Sequence, residues 1–400
     1  MNPLDKYIDS AHKPEESLIL RYHRGIPFNN LRKEDFQAAS LKEGARICKL
    51  INYKDVPVYI VDESTLMSGG TFKTLEACLV ITLSNKKGYK KVAFSSGANT
   101  GSALTIYGQK AKIETFFFHP KTTCWKLDRS LFKSDTAHLI SVDKQEKEVK
   151  KAALLFAEMS GIQHVPELEW RPYATGLRAF FVFEYSLKNK VNFDWISQAV
   201  CAGYGPVGFY DIARKLVQET AINKDSVPKF LGIQQEPLCP MVHAWQERHS
   251  RILSADIIAR SSELIEPALY NTNPENSYPL LYNHLRNFGG YLCSLTRQEY
   301  ERYLPLLLKW LSKIGINITK RHINGKDEIL EKAGIIGLSG TLKAIDNGII
   351  KKGESALSFF TGGSGSYSGK QAIPEYEIRR DDDLKKALQN YLDMLLRIPK

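Results

Sequence analysis

Near-continuous apolar, β-rich runs alternate along this chain with helical patterns, and that alternation limits the fold more than any other feature. The strand candidates are VPVYIVD (56–62), KVAFSS (91–96), ETFFFHP (114–120), HLISVD (138–143), WISQAVCA (195–202), KFLGIQQE (229–236) and SALSFFTG (355–362). Between them lie the helical patterns TLEACLVITL, NTGSALTIYGQKA, EVKKAALLFAEMS, GLRAFFVFEYSLK and FYDIARKLVQE. Runs this uniformly apolar suit strands covered on both faces. Strands separated by helix-length segments read as parallel sheets with crossover helices, which predicts an α/β fold. Residues 245–290 are less regular, and YNTNPENSYP within them reads as a loop before a helix.

A chain of 400 residues can hold two domains, or one large α/β domain with an insertion. Its 43% hydrophobic and 25% charged residues are ordinary for a globular protein. No apolar run is long enough to cross a membrane, and MNPLDKYIDSAHKPEESLIL lacks the layout of a secretory signal. The cysteines (Cys48, Cys78, Cys124, Cys201, Cys239 and Cys293) form no C-x-x-C. Zinc knuckles and dithiol motifs are therefore not predicted, and reduced thiols in a cytoplasmic setting are. No histidine spacing suggests a metal. The net charge of +11 reads as dispersed surface lysines, because NKKGYKK and DKQEKEVKK look solvated and no stripe interleaves basic with aromatic residues. No nucleic-acid partner and no membrane partner are expected.

Three strand candidates run into Gly/Ser-rich turns, at 91–101, 195–208 and 355–369. Open α/β sheets bind ligands beyond the carboxyl ends of their strands, so these turns predict a shared anion-rich site. Gly203, Gly205 and Gly208 have G-x-G-x-x-G spacing, which aims backbone N–H groups and a helix N-terminus at an anion. One anion is a dinucleotide pyrophosphate, with Glu236 as the ribose-binding acid of an NAD-dependent oxidoreductase. The other is the single phosphate of a different cofactor; a structural strand–helix turn that holds no anion is the third reading. A dinucleotide fingerprint usually opens its domain, whereas this turn lies mid-chain. The dinucleotide reading also leaves MSGGTFKTLEA (67–77) unexplained. There Lys73 sits in the first turn of a helical pattern, where the helix dipole disfavours a cation and suits an amine that must form a Schiff base. TGGSGSYSGK (361–370) reads as a flexible linker or, given the strand before it, a functional loop.

At this point the chain resembles the fold-type II pyridoxal-phosphate (PLP) enzymes. SGGTFKT resembles their S-F-K segment with its Schiff-base lysine, and SSGANTGSALTIYG (95–108) resembles their S-S-G-N-T-G loop. AGYGPVG is similar to their glycine-rich phosphate cup, and FFTGG (359–363) to their late T-G or S-G segment. Longer stretches are similar to the threonine synthases and related cysteate synthases: WRPYATGLRAFFVFEY (170–185), KFLGIQQEPLCPMVHAWQ (229–246) and GTLKAIDNGIIKKGESALSFFTG (340–362). The likeness covers roughly residues 55–365.

The resemblance implies a two-domain fold like the tryptophan synthase β subunit, with parallel or mixed sheets and the cofactor in a cleft. Residues 1–75 plus 186–400 would form the large cofactor-binding domain, and 76–185 the small mobile domain with the Asn loop. Lys73 is the implied catalytic residue, holding PLP and then removing a Cα proton. Gly203, Tyr204, Gly205, Val207 and Gly208 are implied to bind the phosphate, with Pro206 near the helix start, where a missing N–H matters least. Asn99 is implied to meet the ring hydroxyl oxygen, although an ordinary N-cap role is the alternative. Thr361, or in its place Ser364 or Ser366, is implied to meet the ring nitrogen. A hydroxyl there favours loss of a leaving group over transamination. Ser96, Gly97 and Thr100 are implied to hold the substrate carboxylate.

The implied activity is that of a cytoplasmic, homodimeric lyase of amino-acid biosynthesis. It would eliminate or replace a group, such as phosphate, at Cβ or Cγ of a short amino acid. An NAD-dependent oxidoreductase and a degenerate, non-catalytic family member are the alternatives. Four departures from the family pattern stand out. Thr74 replaces an acid, Ala98 lengthens the Asn loop, GIIGLSGT (334–341) replaces an E-P-S-S-A-like stretch, and Ala174 replaces a base. In threonine synthases that last region helps bind the substrate phosphate, so Ala174 weighs against O-phosphohomoserine. Arg171 and Arg178 lie nearby, and sequence does not fix their direction.

Overall fold

The computed structural model describes residues 3–166, 170–258, 264–272, 274–323, 325–365 and 369–397. The chain divides into two compact units, one drawn from 1–27, 42–72 and 171–365, the other from 28–41, 73–170 and 366–400. The sequence places the boundaries after residues 75 and 185. The units part at Phe72/Lys73 and Trp170/Arg171, and the second also takes in 28–41 and the C-terminal segment.

The first unit holds β1 (Arg46–Tyr53), β2 (Val56–Asp62), β7 (Trp195–Ala199), β8 (Lys229–Gln235), β9 (Gly290–Leu295) and β12 (Ala356–Phe360), numbered along the whole chain. Their order across the sheet is β1-β2-β12-β7-β8-β9. Only β1 and β2 are antiparallel, and every other neighbouring pair is parallel. The same unit carries α1 (Leu18–Tyr22), α6 (Trp170–Asn189, from its second residue), α7 (Tyr204–Gln218), α8 (Pro240–Gln246), α9 (Tyr278–Phe288), α10 (Arg297–Lys313) and α11 (Ala333–Asp346). A short hairpin pairs β10 (Lys320–Ile323) with β11 (Lys326–Ile329). The stretch AGIIGLSGTLKAID is apolar enough to be a wholly buried helix, and it is α11. Ile335, Ile336, Leu338 and Leu342 of α11 share one core with Val58, Ile60, Leu231 and Ile233 of the sheet. Each such side chain contributes about 1.5–3 kcal/mol by leaving water.

The second unit contains α2 (Lys33–Ala39), α3 (Lys73–Lys86), β3 (Lys91–Ser95), α4 (Asn99–Ala111), β4 (Glu114–Pro120), β5 (Ala137–Val142), α5 (Glu146–Ser160), β6 (Gln163–His164), β13 (Tyr376–Ile378) and α12 (Leu384–Arg397). Its sheet is parallel throughout, in the order β13-β5-β4-β3-β6. The run FFF of β4 explains its place at the centre. Phe116 and Phe118 enter a core with Phe156 and Tyr391, while Phe117 turns the other way against Phe94.

The sequence reading did not include β1 or β9. In β1 the apolar residues are interrupted by Arg46 and Lys49, and the register slips between Lys49 and Ile51. Strand β12 closes the first sheet but not the chain, since β13 and α12 follow it. One feature of the first sheet positions the site. The chain runs from β7 through α7 to β8 in one direction, and β12 returns between β2 and β7. Connections that diverge from neighbouring parallel strands mark where open α/β sheets receive ligands. Here those strands are β7 and β12.

Candidate active site

Beyond β7 the chain turns at Gly203, whose φ of +80° suits glycine, and α7 starts at Tyr204. The turn is braced from two sides. Ser277 Oγ donates to the Ala202 carbonyl, and Thr175 Oγ1 donates to the Tyr204 carbonyl at 2.9 Å. Gly205 and Gly208 are required for closeness. A Cβ on Gly205 would stand 2.9 Å from Gln198 Nε2 and 3.0 Å from Arg178 Nη1, and one on Gly208 would stand 2.2 Å from the Pro172 carbonyl oxygen of α6. The N-cap of α7, Gly203, has no side chain to cap the helix, and a glycine-lined helix start of this kind suits an acceptor such as a phosphate. Val207 donates its N–H to the Gly203 carbonyl at 3.2 Å. Its N–H is therefore taken up within the turn itself.

Beyond β12 stands Thr361, buried, whose carbonyl accepts the Phe72 N–H at 3.1 Å. Thr71 bridges Gly362 alongside it. Thr319 donates its N–H to the Gly363 carbonyl at 2.8 Å and its hydroxyl to the Gly365 carbonyl at 2.9 Å. Up to Gly365 the Gly/Ser stretch is therefore a fastened turn rather than a linker. Ser364 is part of it, and Ser366 lies outside the described residues. The residue after Phe72 is Lys73, the first of α3. Its Nζ lies 3.0 Å from Oε2 of Glu76, whose side chain is fully buried. Glu76 was not a sequence candidate; the i,i+3 spacing on one helix face was the available signal.

A buried ion pair flanks the cup. Arg178 of α6 places Nε 2.7 Å from Glu63 Oε1, and Nη2 donates to Oε2 at 2.9 Å. The guanidinium lies 3.7 Å over the Phe359 ring and 5.0 Å from the Phe72 ring. Burial raises the Glu63 pKa, and the neighbouring guanidinium opposes that rise. The directions left open by the sequence are thus settled. Arg178 turns inward to Glu63, Arg171 lies 5.5 Å over the Tyr204 ring, and Ala174 is buried.

In the second unit, the turn after β3 is fixed by the Ser96 N–H donating to the Phe118 carbonyl at 3.2 Å, while Ser96 Oγ accepts from the Ala98 N–H at 3.3 Å. The additional residue Ala98 is the N-cap of α4 and provides no side-chain cap, and Asn99 is the first residue inside the helix. The alternative of Asn99 as an N-cap is thereby corrected. Ser96, Gly97 and Asn99 are half-buried and Thr100 is buried, so this helix start also suits a small carboxylate. His119, near the end of the neighbouring strand β4, is fully buried, and burial lowers its pKa to about 4. The sequence reading passed over it within ETFFFHP. Among the described residues no cluster of metal-ligating side chains occurs, and no helix is long and apolar enough to cross a membrane.

Residues 46–298 match the pyridoxal-phosphate dependent enzyme family, and the chain belongs to it. A cysteate synthase of Methanosarcina barkeri is 24% identical over 372 residues, covering 88% of this chain and 85% of that protein. A threonine synthase of Methanocaldococcus jannaschii is 24% identical over 370 residues, covering 90% and 83%. Among solved structures, the holo diaminopropionate ammonia lyase of Escherichia coli superposes with a TM-score of 0.61 at 15% identity, covering 90% of this chain and 92% of that one. The family implies PLP, and the residues fit it. The glycine-lined helix start suits a phosphate, a hydroxyl follows the adjacent strand, and a lysine follows the residue bonded to that strand's end. This replaces the dinucleotide reading built on Glu236.

Proposed function

We propose that the chain is a PLP-dependent lyase or synthase that eliminates or replaces a group at Cβ or Cγ of a short amino acid, with phosphate leaving. One observation supports this above others. Phe72 is hydrogen-bonded to Thr361, so Lys73 begins beside the strand end whose neighbour, β7, leads into the glycine cup. The named relatives, a cysteate synthase and a threonine synthase, point the same way. Ala174, standing where threonine synthases carry a base, tilts the choice toward β-replacement on O-phosphoserine with sulfite as the incoming nucleophile.

When bound, the cofactor supplies a sink for the electrons left as a Cα proton departs. The protein's part is binding, orientation and proton handling. Gly203, Tyr204 and Gly205 hold the phosphate through backbone N–H groups, in a cup shaped by Val207 and Gly208. Thr361 serves the ring nitrogen and Asn99 the ring hydroxyl oxygen. The α4 start, with Ser96, Gly97 and Thr100, takes the substrate carboxylate. Lys73 holds the cofactor and takes the Cα proton on Nζ. Glu76, 3.0 Å away, steadies the resulting ammonium.

The test begins with a visible spectrum of the purified protein before and after borohydride, and a mass-spectrometric map of the adduct. Label on Lys73 supports the reading; a colourless protein with no label rejects it. Lys73→Ala loses the label, and turnover falls at least about a thousandfold. Phosphate release from O-phosphoserine, with and without sulfite, and from O-phosphohomoserine separates the two reactions. No release in any arm removes both and leaves a cofactor-binding, non-catalytic member.

A further inference from the structure

Every polar atom of a buried arginine needs a partner, because a desolvated guanidinium hydrogen left unpaired is costly. Arg178 has a side chain only 1% exposed, and it meets this need only in part: Nη2 donates to Glu63 Oε2 at 2.9 Å, while Nε lies 2.7 Å from Glu63 Oε1 as an ion pair without hydrogen-bond geometry. Among the described residues its Nη1 has no hydrogen-bond partner. That atom stands 3.0 Å from where a Gly205 Cβ would be, at the flank of the first turn of α7. The Phe359 ring, 3.7 Å away, covers one face of the guanidinium and fixes its plane. An ion pair that only joined α6 to the residue after β2 would not need a planar donor with its open edge against a glycine in the first turn of a helix.

We propose that Arg178 is a phosphate-recognising residue of the cup, its Nη1 edge supplying a charged donor beside the backbone N–H groups. Glu63 is the positioning residue that holds the fork in that orientation. The inference rests on the cofactor reading above and adds a specific claim to it. The cup discriminates a phosphorylated ligand from its unphosphorylated form through a side chain, not through backbone alone. A charge-assisted hydrogen bond of this kind corresponds to about tenfold or more in affinity.

The experiment titrates the full-length apoprotein with PLP and with pyridoxal, read by absorbance and tryptophan fluorescence. Glu63→Gln retains the fork and removes its counter-charge, so the ratio of PLP to pyridoxal affinity rises. Adding Arg178→Met in that background leaves no unpaired carboxylate behind. The ratio then falls about tenfold or more while pyridoxal affinity stays within about twofold, and Arg178→Lys restores part of it. Equal losses for both ligands would show a merely structural arginine, and an unchanged ratio would show that Nη1 serves a buried water alone; either overturns the proposal. If the double variant does not fold, a raised ratio in Glu63→Gln alone supports the proposal and an unchanged or lowered one overturns it. Wild-type protein that binds neither ligand rejects the cofactor reading itself, a result distinct from a failure at Arg178.

Discussion

Two buried ion pairs hang from the same helix, and they are built to different standards of completion. Arg178 and Glu184 of α6 are separated by six residues and so point about 120° apart around the helix. Glu184 is saturated. It accepts from Arg21 Nε at 2.8 Å and from Tyr22 Oη at 2.5 Å, and it pairs with Lys188 Nζ at 2.5 Å. Its partner Arg21 also donates Nη2 to Glu184 and Nη1 to the His12 carbonyl, leaving no idle edge. Arg178 has one hydrogen bond and one close ion-pair contact to Glu63, and its idle Nη1 lies at the flank of the glycine cup. The closed network behaves as a staple between α1 and α6. The open one is the pair we propose has something still to bind.

The comparison breaks most visibly if the staple is cut. Glu184→Gln keeps the volume and removes the charge that Arg21 was buried against. Losing one partner of a buried pair costs about 3–5 kcal/mol, read as a lower denaturant midpoint. The ratio of PLP to pyridoxal affinity stays unchanged, the mirror image of the outcome expected at Arg178. A Glu184→Gln protein with wild-type stability, or with altered phosphate selectivity, would erase the distinction between the two pairs.

The staple also has a pH signature. Burial pushes the Glu184 carboxyl up, but hydrogen bonds from Arg21, Lys188 and Tyr22 outweigh it and hold the carboxyl down at about 2, below its ordinary 4.5. The folded state therefore binds this proton more weakly than the unfolded chain does. The contribution is fully present above pH 4.5 and is lost as pH falls toward 2. It amounts to about 3 kcal/mol. Denaturant midpoints measured through that window fall with acid in the wild type, and the fall is shallower in Glu184→Gln. Parallel curves would show that Glu184 does not carry the acid sensitivity.

Why one half of this picture could be read from the sequence and the other could not is a matter of range. Lys73, the cup and Thr361 are each declared within a few residues, by a glycine turn or a hydroxyl next to an apolar run. Their local context already fixes where they stand. Glu63 and Arg178 are 115 residues apart, and Arg21 and Glu184 are 163 apart. Nothing local says which acid meets which base. The helix around Arg178 was legible from its apolar pattern, but its rotation against β12 was not, and that rotation decides whether Arg178 faces water or Phe359. The strand order was hidden for the same reason. β12 inserts between β2 and β7, a pairing that no feature of SALSFFTG announces.

The finest test of the open pair adds a single methyl group. In Gly205→Ala the new carbon would stand 2.9 Å from Gln198 Nε2 and 3.0 Å from Arg178 Nη1. Both atoms are ends of side chains, so the helix need not move, unlike at Gly208, where the obstacle is the Pro172 backbone. Gln198 can swing away. Arg178 is held by Glu63 and by the Phe359 ring, so it is displaced as a unit or stays and crowds the methyl. The stability loss is accordingly small for a buried site, about 1 kcal/mol, at the low end of overpacking. The same displacement moves Nη1 off the flank of the cup, so PLP affinity falls by more than pyridoxal affinity, in the same sense as in the Arg178 variants. Equal weakening of both ligands would mean that the methyl distorts the backbone turn and that the guanidinium merely stands nearby.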